Sequence, residues 1–292
     1  MADVQISGFT IIRNAIINDY PVVEAITSIL PVVDEMIVLV GDSEDDTEAL
    51  IRGINNAKIR IHHSVWDKSL RKGGAVLAAE TNKAFQLIDP QSTWAFYIQA
   101  DEVVHEKYHQ SILDAAEKYK DASRVDGLLF KYLHFYGMYA YVADSRKWYS
   151  HEVRIIRNNK EIKSYRDAQG FRKNTDKLLV KAIDAYIYHY GWVKNPFQMK
   201  KKLNNVSMYW RTDEEWKQYI SSGDVFDFSD FDSIEKFTGS HPAVMLNRIR
   251  EQNWNLELNP SQKRLSVKNK LLQLFEKKTG IRLFDFRNYK TL

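Results

Sequence analysis

The chain has 292 residues and no cysteine. That excludes a disulfide framework, a thiolate metal site and a cysteine nucleophile, and it fits a reducing compartment. Proline and glycine are sparse, six and twelve residues, and no low-complexity tract or internal repeat interrupts the chain. No apolar run approaches the ~18 residues of a membrane-spanning helix. The opening stretch MADVQISGFT carries no basic region ahead of an apolar one, so no secretory leader is expected. A formal net charge of +4 is too mild to indicate nucleic acid. Neither a phosphate-binding loop of the ATPase type nor a GxSxG elbow is present.

What is present is a globular composition, 44% hydrophobic and 13% aromatic, which argues against disorder. The length suggests about two domains. Residues 1–195 carry 25 Lys/Arg against 26 Asp/Glu, whereas 196–292 carry 17 against 12, with nine basic residues after Asn259 facing only Glu276 and Asp285. A basic tail of this kind suits an anionic partner, anionic lipid or simple solubility.

Two periods alternate through the first half. Ile6–Ile12 reads as a strand. Asp19-Tyr20-Pro21 predicts a helix start with Asp19 as cap. The continuous apolar run Met36–Val40 predicts a strand covered on both faces. A helix from Thr47, a strand at Lys58–Ile61, a helix over Gly74–Ile88 and a strand at Trp94–Ile98 follow. This succession predicts an α/β fold with a mixed, mostly parallel sheet flanked by helices. Beyond residue 125, strands at Gly127–Tyr136, Val153–Arg157 and Ala182–Tyr190 lack long helices between them and suit antiparallel additions. Asn195-Pro196 predicts a helix start. The expected boundary near Lys194 divides a domain of residues 1–195 from a helical C-terminal region, 196–292, that serves acceptor, packing or oligomer contacts. Within that region Leu271, Leu272, Leu274 and Phe275 lie among lysines in a basic amphipathic helix, suited to a membrane surface, to a second subunit or to the chain's own body.

Sheets of this kind bind ligands outside the carboxyl ends of their strands. Asp42, Asp45 and Asp46 follow the second strand there, and Asp101 and Glu102 follow the fourth. Such carboxylates suit hard cations, Mg²⁺ or Mn²⁺, although Asp45 is equally suited to capping a helix. Gly73-Gly74 before a helix would let backbone amides approach a phosphate, with Arg71 and Lys72 beside them. The dense aromatics Tyr132, Phe135, Tyr136, Tyr139 and Tyr141 read mostly as core, with Trp148 and Trp192 similar.

The segments Ile11–Asn14 (IIRN), Met36–Thr47 (MIVLVGDSEDDT), Gly73–Ala84 (GGAVLAAETNKA), Tyr97–Val103 (YIQADEV) and Tyr188–Gly191 (YHYG) resemble, in order and spacing, those of family 2 glycosyltransferases, the inverting GT-A enzymes with a Rossmann-like fold. The likeness covers about residues 5–195. It implies transfer of a sugar, hexosyltransferase-like, from a nucleotide-diphosphate donor to a saccharide or lipid-linked acceptor. Ile12, Arg13, Asn14, Asp42, Asp45, Gly74, Gln99 and Ala100 would then bind the donor. Asp101 would hold Mn²⁺ or Mg²⁺, with Glu102 helping and His189 a possible further ligand. Asp167, the carboxylate of SYRDAQGF, would be the general base, with Glu152 in reserve. Two positions depart from the family: Gly41 stands where a base-binding Asp is usual, and Gln99 replaces the first Asp of the metal motif. Those departures keep open a non-catalytic nucleotide-sugar-binding homologue. A nucleotidyltransferase on a similar sheet is the other alternative, although Ile11–Asp19 lacks its glycine-rich basic loop. The expected setting is the cytoplasm, with possible peripheral contact at the inner face of the membrane and possible homo-oligomerisation.

Overall fold

The structure, a computed structural model, describes residues 4–70, 72–220 and 223–292. Arg71 and the Lys72 side chain lie outside the described residues. Strands β1 (Ile6–Ile12), β2 (Glu35–Val40), β3 (Ile59–His63) and β4 (Trp94–Tyr97) alternate with helices α1 (Val22–Ile29), α2 (Thr47–Arg52) and α3 (Ala75–Gln86). All seven residues of β1 and all six of β2 are buried, as in strands covered on both faces. Even positions such as Ile6, Ile12, Met36 and Val38 pack with Ile26 and Ile29 of α1, while Phe9, Ile11, Ile37 and Leu39 pack with Val76, Ala84 and Phe85 of α3. The period-2 alternation of strand side chains thus puts one helix layer on each face.

The chain continues through β5 (Glu102–Val104), α4 (His109–Tyr119), β6 (Gly127–Tyr136), β7 (Met138–Ala143), β8 (His151–Arg157), β9 (Ile162–Tyr165), β10 (Gly170–Lys173), β11 (Asp176–Lys177) and β12 (Leu179–Trp192). Among the described residues the main sheet has eleven strands, with a path β13-β7-β6-β8-β4-β1-β2-β3 that includes β13 (Ile234–Lys236). β3, β2, β1 and β4 are mutually parallel. β8 and β7 add antiparallel to this set through β4 and β6. The long strand β12 runs parallel to β6 and antiparallel to the short β5. The strand order 3-2-1-4 reverses direction between β1 and β4, and a crevice opens at such a switch point, beyond the carboxyl ends of both strands.

After Asn195 come α5 (Pro196–Ser207), α6 (Asp213–Ile220), α7 (Leu246–Arg250), α8 (Val267–Thr279) and β14 (Lys290–Thr291). The Asn195 side chain caps α5 by accepting from the Phe197 amide at 2.9 Å, with Pro196 in the first turn, as the dipeptide predicts. The segment returns to the sheet: β13 pairs with β7 and β14 with β12. Asp19 does not cap α1, which begins at Val22. Its carboxylate instead pairs with Arg248 at 2.6 Å and faces Lys194 at 3.6 Å; the cap position falls on Pro21, two residues on, and Asp19 itself is in the left-handed region, φ 51°.

Among the described residues, no helix is long and apolar enough to cross a membrane. α8 is amphipathic with its polar side inward. Gln273, Glu276 and Lys277 bond to Asp144, Arg146 and Glu235. Val267, Leu271, Leu274 and Phe275, three or four residues apart on the opposite side, are exposed, as are Phe284 (87%) and Phe286 (75%) after the helix.

Candidate active site

A cavity of about 610 Å³ lies at the switch point, in the usual range for a small-molecule site. Its floor is built from Ile12 and Arg13 at the end of β1, Gln99, Ala100 and Asp101 after β4, and His189 and Gly191 of β12. Asp167 and Gln169 form one rim, and α5 supplies Met199, Lys202 and Leu203 as a wall. Seven of the residues singled out from sequence therefore meet here: Ile12, Arg13, Gln99, Ala100, Asp101, Asp167 and His189.

Asp101 and His189 are joined by strand pairing. β5 runs antiparallel to β12 with His189 opposite Glu102, and the Tyr190 amide donates to the Asp101 carbonyl at 2.8 Å. The result places His189 Nε2 3.6 Å from Asp101 Oδ1. Asp101 Oδ2 accepts from Lys202 Nζ at 3.1 Å, and the same amine donates to the Gly191 carbonyl at 2.9 Å. Burial opposes ionisation of Asp101, but Lys202 and His189 outweigh it and hold the carboxyl at about 2. Burial lowers the His189 pKa against the pull of Asp101. Lys194, which is fully buried, is pushed down to about 7 by that burial and by the nearby Lys202 charge.

Among the described residues no three His, Asp or Glu side chains converge as a ready metal centre. Asp101 and His189 nevertheless fit a cation that takes its remaining ligands from a diphosphate and water, as Mg²⁺ and Mn²⁺ do. The backbone beside them leaves room. A Cβ on Gly191 would lie 2.6 Å from Asp101 Oδ2 and 2.7 Å from His189 Nε2, so this glycine keeps open the space both side chains border.

The other expected residues do different work. Glu102 is not free to help a cation. It is wholly buried, accepts Arg154 Nη2 and Nε at 2.7 and 2.8 Å and the Tyr132 hydroxyl at 2.8 Å, and so is fixed as the partner of an equally buried guanidinium. Asp45 does not reach the cavity. Its Oδ2 accepts the Ile16 and Ile17 amides and its Oδ1 the Thr47 amide and hydroxyl, so it clamps the loop after β1 onto the start of α2. Asn14 accepts the Glu44 amide at 2.7 Å and belongs to the same clamp. Asp42 stands behind Arg13, 3.3 Å from Nε, in a side recess with Trp66 and Tyr209. Gly74 offers no open amide to a phosphate, since its N–H donates to the Tyr209 carbonyl at 3.0 Å. Its missing side chain matters instead: a Cβ there would lie 2.7 Å from the Asp167 Cβ, and its φ of 73° disfavours any other residue.

Glu152 is buried behind Gln169, whose Nε2 donates to its Oε1 at 2.7 Å, and its Oε2 has no partner among the described residues. Burial, countered in part by Arg154, raises its pKa to about 7. Folding therefore favours the protonated form. The stability this gives is complete below the ordinary pKa of ~4.3 and is lost as pH climbs through about 7. Glu152→Gln removes the dependence. Chemical denaturation is expected to show the variant more stable than the parent at pH 8, by about 3 kcal/mol at most, with little difference at pH 4.5. A constant offset at both values would contradict this.

Several cavity residues escaped the sequence reading. Trp66 and Tyr209 pack with ring centroids 5.3 Å apart, and the Tyr209 hydroxyl accepts Arg13 Nη1 at 3.0 Å. Gly41 is explained by the same wall, because any Cβ there would collide with the Trp66 indole. Lys202 did carry a signal: a lysine in register with Met199, Leu203 and Val206 on the apolar face of α5, a place where an unpaired charge is costly.

No protein-family model matches the chain, and no curated protein matches it. Solved structures resemble it at low identity. It is similar to residues 1–349 of TarS from S. aureus, at 16% identity over 74% of this chain and 69% of that one, TM-score 0.39. It is similar to the Mycobacterium tuberculosis glucosyl-3-phosphoglycerate synthase in complex with Mn²⁺, uridine diphosphate and phosphoglyceric acid, at 19% over 45% and 43%, TM-score 0.31. It is also similar to the 4-diphosphocytidyl-2C-methyl-D-erythritol synthase of Anaerococcus prevotii, at 14% over 75% and 98%, TM-score 0.40. The architecture of this chain is given by its own strand order, and the chemistry by its own side chains.

Proposed function

We propose that the chain is an inverting glycosyltransferase that uses a nucleotide-diphosphate sugar. The observation that carries this reading is the meeting of Asp101 and His189, 3.6 Å apart, at the switch point of the parallel strands and on the floor of a 610 Å³ cavity. The nucleobase lies against Trp66 and Tyr209, with Arg13 fixed beside it. Asp101 and His189 would hold Mn²⁺ or Mg²⁺, which would neutralise charge on the diphosphate leaving group. Lys202 adds a positive charge on the same side. Asp167 faces the cavity from the other rim and takes the proton of the acceptor hydroxyl. The hydroxyl oxygen bonds to the anomeric carbon, the carbon–oxygen bond to the diphosphate breaks, and the electron pair departs with the diphosphate. A single displacement of this kind inverts the anomeric centre.

Thermal stabilisation tests the donor site. UDP or GDP with Mn²⁺ is expected to raise the melting temperature more than either alone, and Asp101→Asn to abolish the difference. Equal stabilisation without the metal would contradict the assignment. Release of nucleotide diphosphate across a panel of sugar donors then separates an enzyme from a binding protein.

The exposed C-terminal stripe suits a lipid surface, which would bring a lipid-linked acceptor near the enzyme. The outward stripe of α8 and the exposed Phe284 and Phe286 sit among Lys268, Lys270, Lys278 and Arg287, while the two acids after Asn259 are turned inward, Glu276 to Arg146 and Asp285 to Arg282. This charge pattern supports contact with an anionic membrane surface, the inner face for an enzyme of the cytoplasm, rather than with a second copy of the same basic face. Sedimentation with phosphatidylglycerol-containing vesicles is expected. Phe284→Ser together with Phe286→Ser should abolish it, and equal binding to neutral phosphatidylcholine vesicles or self-association through this face would refute it.

A further inference from the structure

The cavity explains where Asp101 and His189 meet, but a histidine binds a cation only through a nitrogen that carries no proton. The side chains behind His189 decide which nitrogen that is. In the parallel pairing of β6 and β12, His134 lies directly opposite His189, and the two Nδ1 atoms are 3.0 Å apart. His134 is 2% exposed and enclosed by the rings of Tyr132, Trp148 and Tyr149. Its Nε2 lies 2.8 Å from the Tyr149 carbonyl oxygen. A carbonyl only accepts, so the proton of a neutral His134 resides on Nε2. Its Nδ1 is then a bare acceptor. The short contact between the imidazoles requires one proton, which His189 Nδ1 must supply. The remaining nitrogen of His189, Nε2, is left with a lone pair, on the side of Asp101 Oδ1.

We propose that His134 is a positioning residue: held by the Tyr149 carbonyl, it fixes His189 in the Nδ1–H tautomer, so that the bare Nε2 and Asp101 Oδ1 form a two-donor site for a divalent cation. This inference rests on the functional reading above for the cation's role, but the tautomer is a property of the chain alone. Without the relay, an Nε2–H would point at the carboxylate, pair with it, and close the site. Metal-binding histidines commonly have their second nitrogen held in this way, and removing the holder costs about 10–100-fold in metal affinity. Two features separate the relay from ordinary packing. Hydrophobic enclosure alone would be met by Phe or Leu at position 134, and the direction of the hydrogen bonds is set by a backbone atom that no side-chain substitution alters.

The test combines a spectrum with a binding measurement. Two-bond ¹H–¹⁵N correlation on the metal-free protein reads the tautomer of each histidine, with His189→Gln used to assign its signals. Mn²⁺ affinity in the presence of UDP is measured by electron paramagnetic resonance. The parent is expected to show His189 protonated on Nδ1. His134→Phe, which keeps an aromatic ring but no acceptor, should move the proton toward Nε2 and weaken Mn²⁺ about 10–100-fold. His134→Asn, whose side-chain oxygen can accept from His189 while its amide serves the Tyr149 carbonyl, should recover most of that affinity. An Nε2–H tautomer in the parent overturns the proposal while leaving the glycosyltransferase reading intact. Unchanged Mn²⁺ affinity in a folded His134→Phe also overturns it. Nδ1–H in a parent that binds no Mn²⁺ with UDP overturns both. Should the Phe variant fail to fold, the parent's spectrum and the Asn variant still decide.

Discussion

Gly191→Ala is expected to weaken Mn²⁺-dependent nucleotide binding by about 100-fold, the upper end of what disturbing the groups that orient metal ligands costs, while the protein stays folded. The argument is steric. The added methyl would stand 2.6 Å from Asp101 Oδ2 and 2.7 Å from His189 Nε2, well inside van der Waals contact, so both side chains must swing away from the position they share. Gly191 has no positive φ, hence alanine brings no backbone penalty. The overpacking itself costs about 1–3 kcal/mol, which a folded domain survives. Isothermal titration with UDP and Mn²⁺, set beside a thermal melt, separates the two effects. Parent-like affinity in the variant would show that the cation, if it binds, is held elsewhere.

Asp167→Asn is expected to lower kcat by about 10²–10⁴-fold, the range for losing a general base, with donor affinity unchanged. The loop that carries it supports this choice. Arg166 and Ala168, on either side, both adopt left-handed backbone, φ 56° and 62°, which costs non-glycine residues about 1–3 kcal/mol each. Such a conformation persists because its surroundings hold it. Gln99 Nε2 donates to the Ala168 carbonyl at 3.3 Å, Arg154 Nη1 donates to the Gln169 carbonyl at 2.8 Å, and Gly74 leaves the space that the Asp167 Cβ approaches. Three separate parts of the chain thus present one carboxylate to the cavity. A loss confined to KM would instead make Asp167 a substrate-binding group and send the search for the base elsewhere.

The first half of the fold was legible because its physics is local. MIVLV, five residues rich in β-branched side chains, reads as a strand covered on both faces, and the alternation of such runs with helical spacings points to crossovers and a parallel sheet. The place of the cavity followed from the same rule, since Arg13, Gln99 and Asp101 all fall just beyond strand ends. What the sequence concealed were choices among equivalent residues. Asp45 and Asp101 both follow strands, yet one clamps backbone amides and the other faces a cavity; only the course of the loop distinguishes them. Glu102 sits beside Asp101, but strand alternation turns it to the opposite side, where Arg154 from β8, 52 residues on, neutralises it. Tyr209 comes from beyond Asn195, and its approach to Arg13 at the end of β1 is a long-range packing decision without local signature. His134 had a faint one: it shares a strand face with Phe130 and Tyr132, and a histidine on a buried face needs a partner for each nitrogen.

The central claim is that Asp101 Oδ1 and His189 Nε2 share a divalent cation at the switch point between β1 and β4. Anomalous diffraction from crystals grown with UDP and Mn²⁺ measures this directly. One manganese peak within ~2.2 Å of both atoms, the distance such ions keep from oxygen and nitrogen donors, is the result predicted. A peak elsewhere, or a nucleotide bound in the cavity with Asp101 still paired only to Lys202, would contradict it.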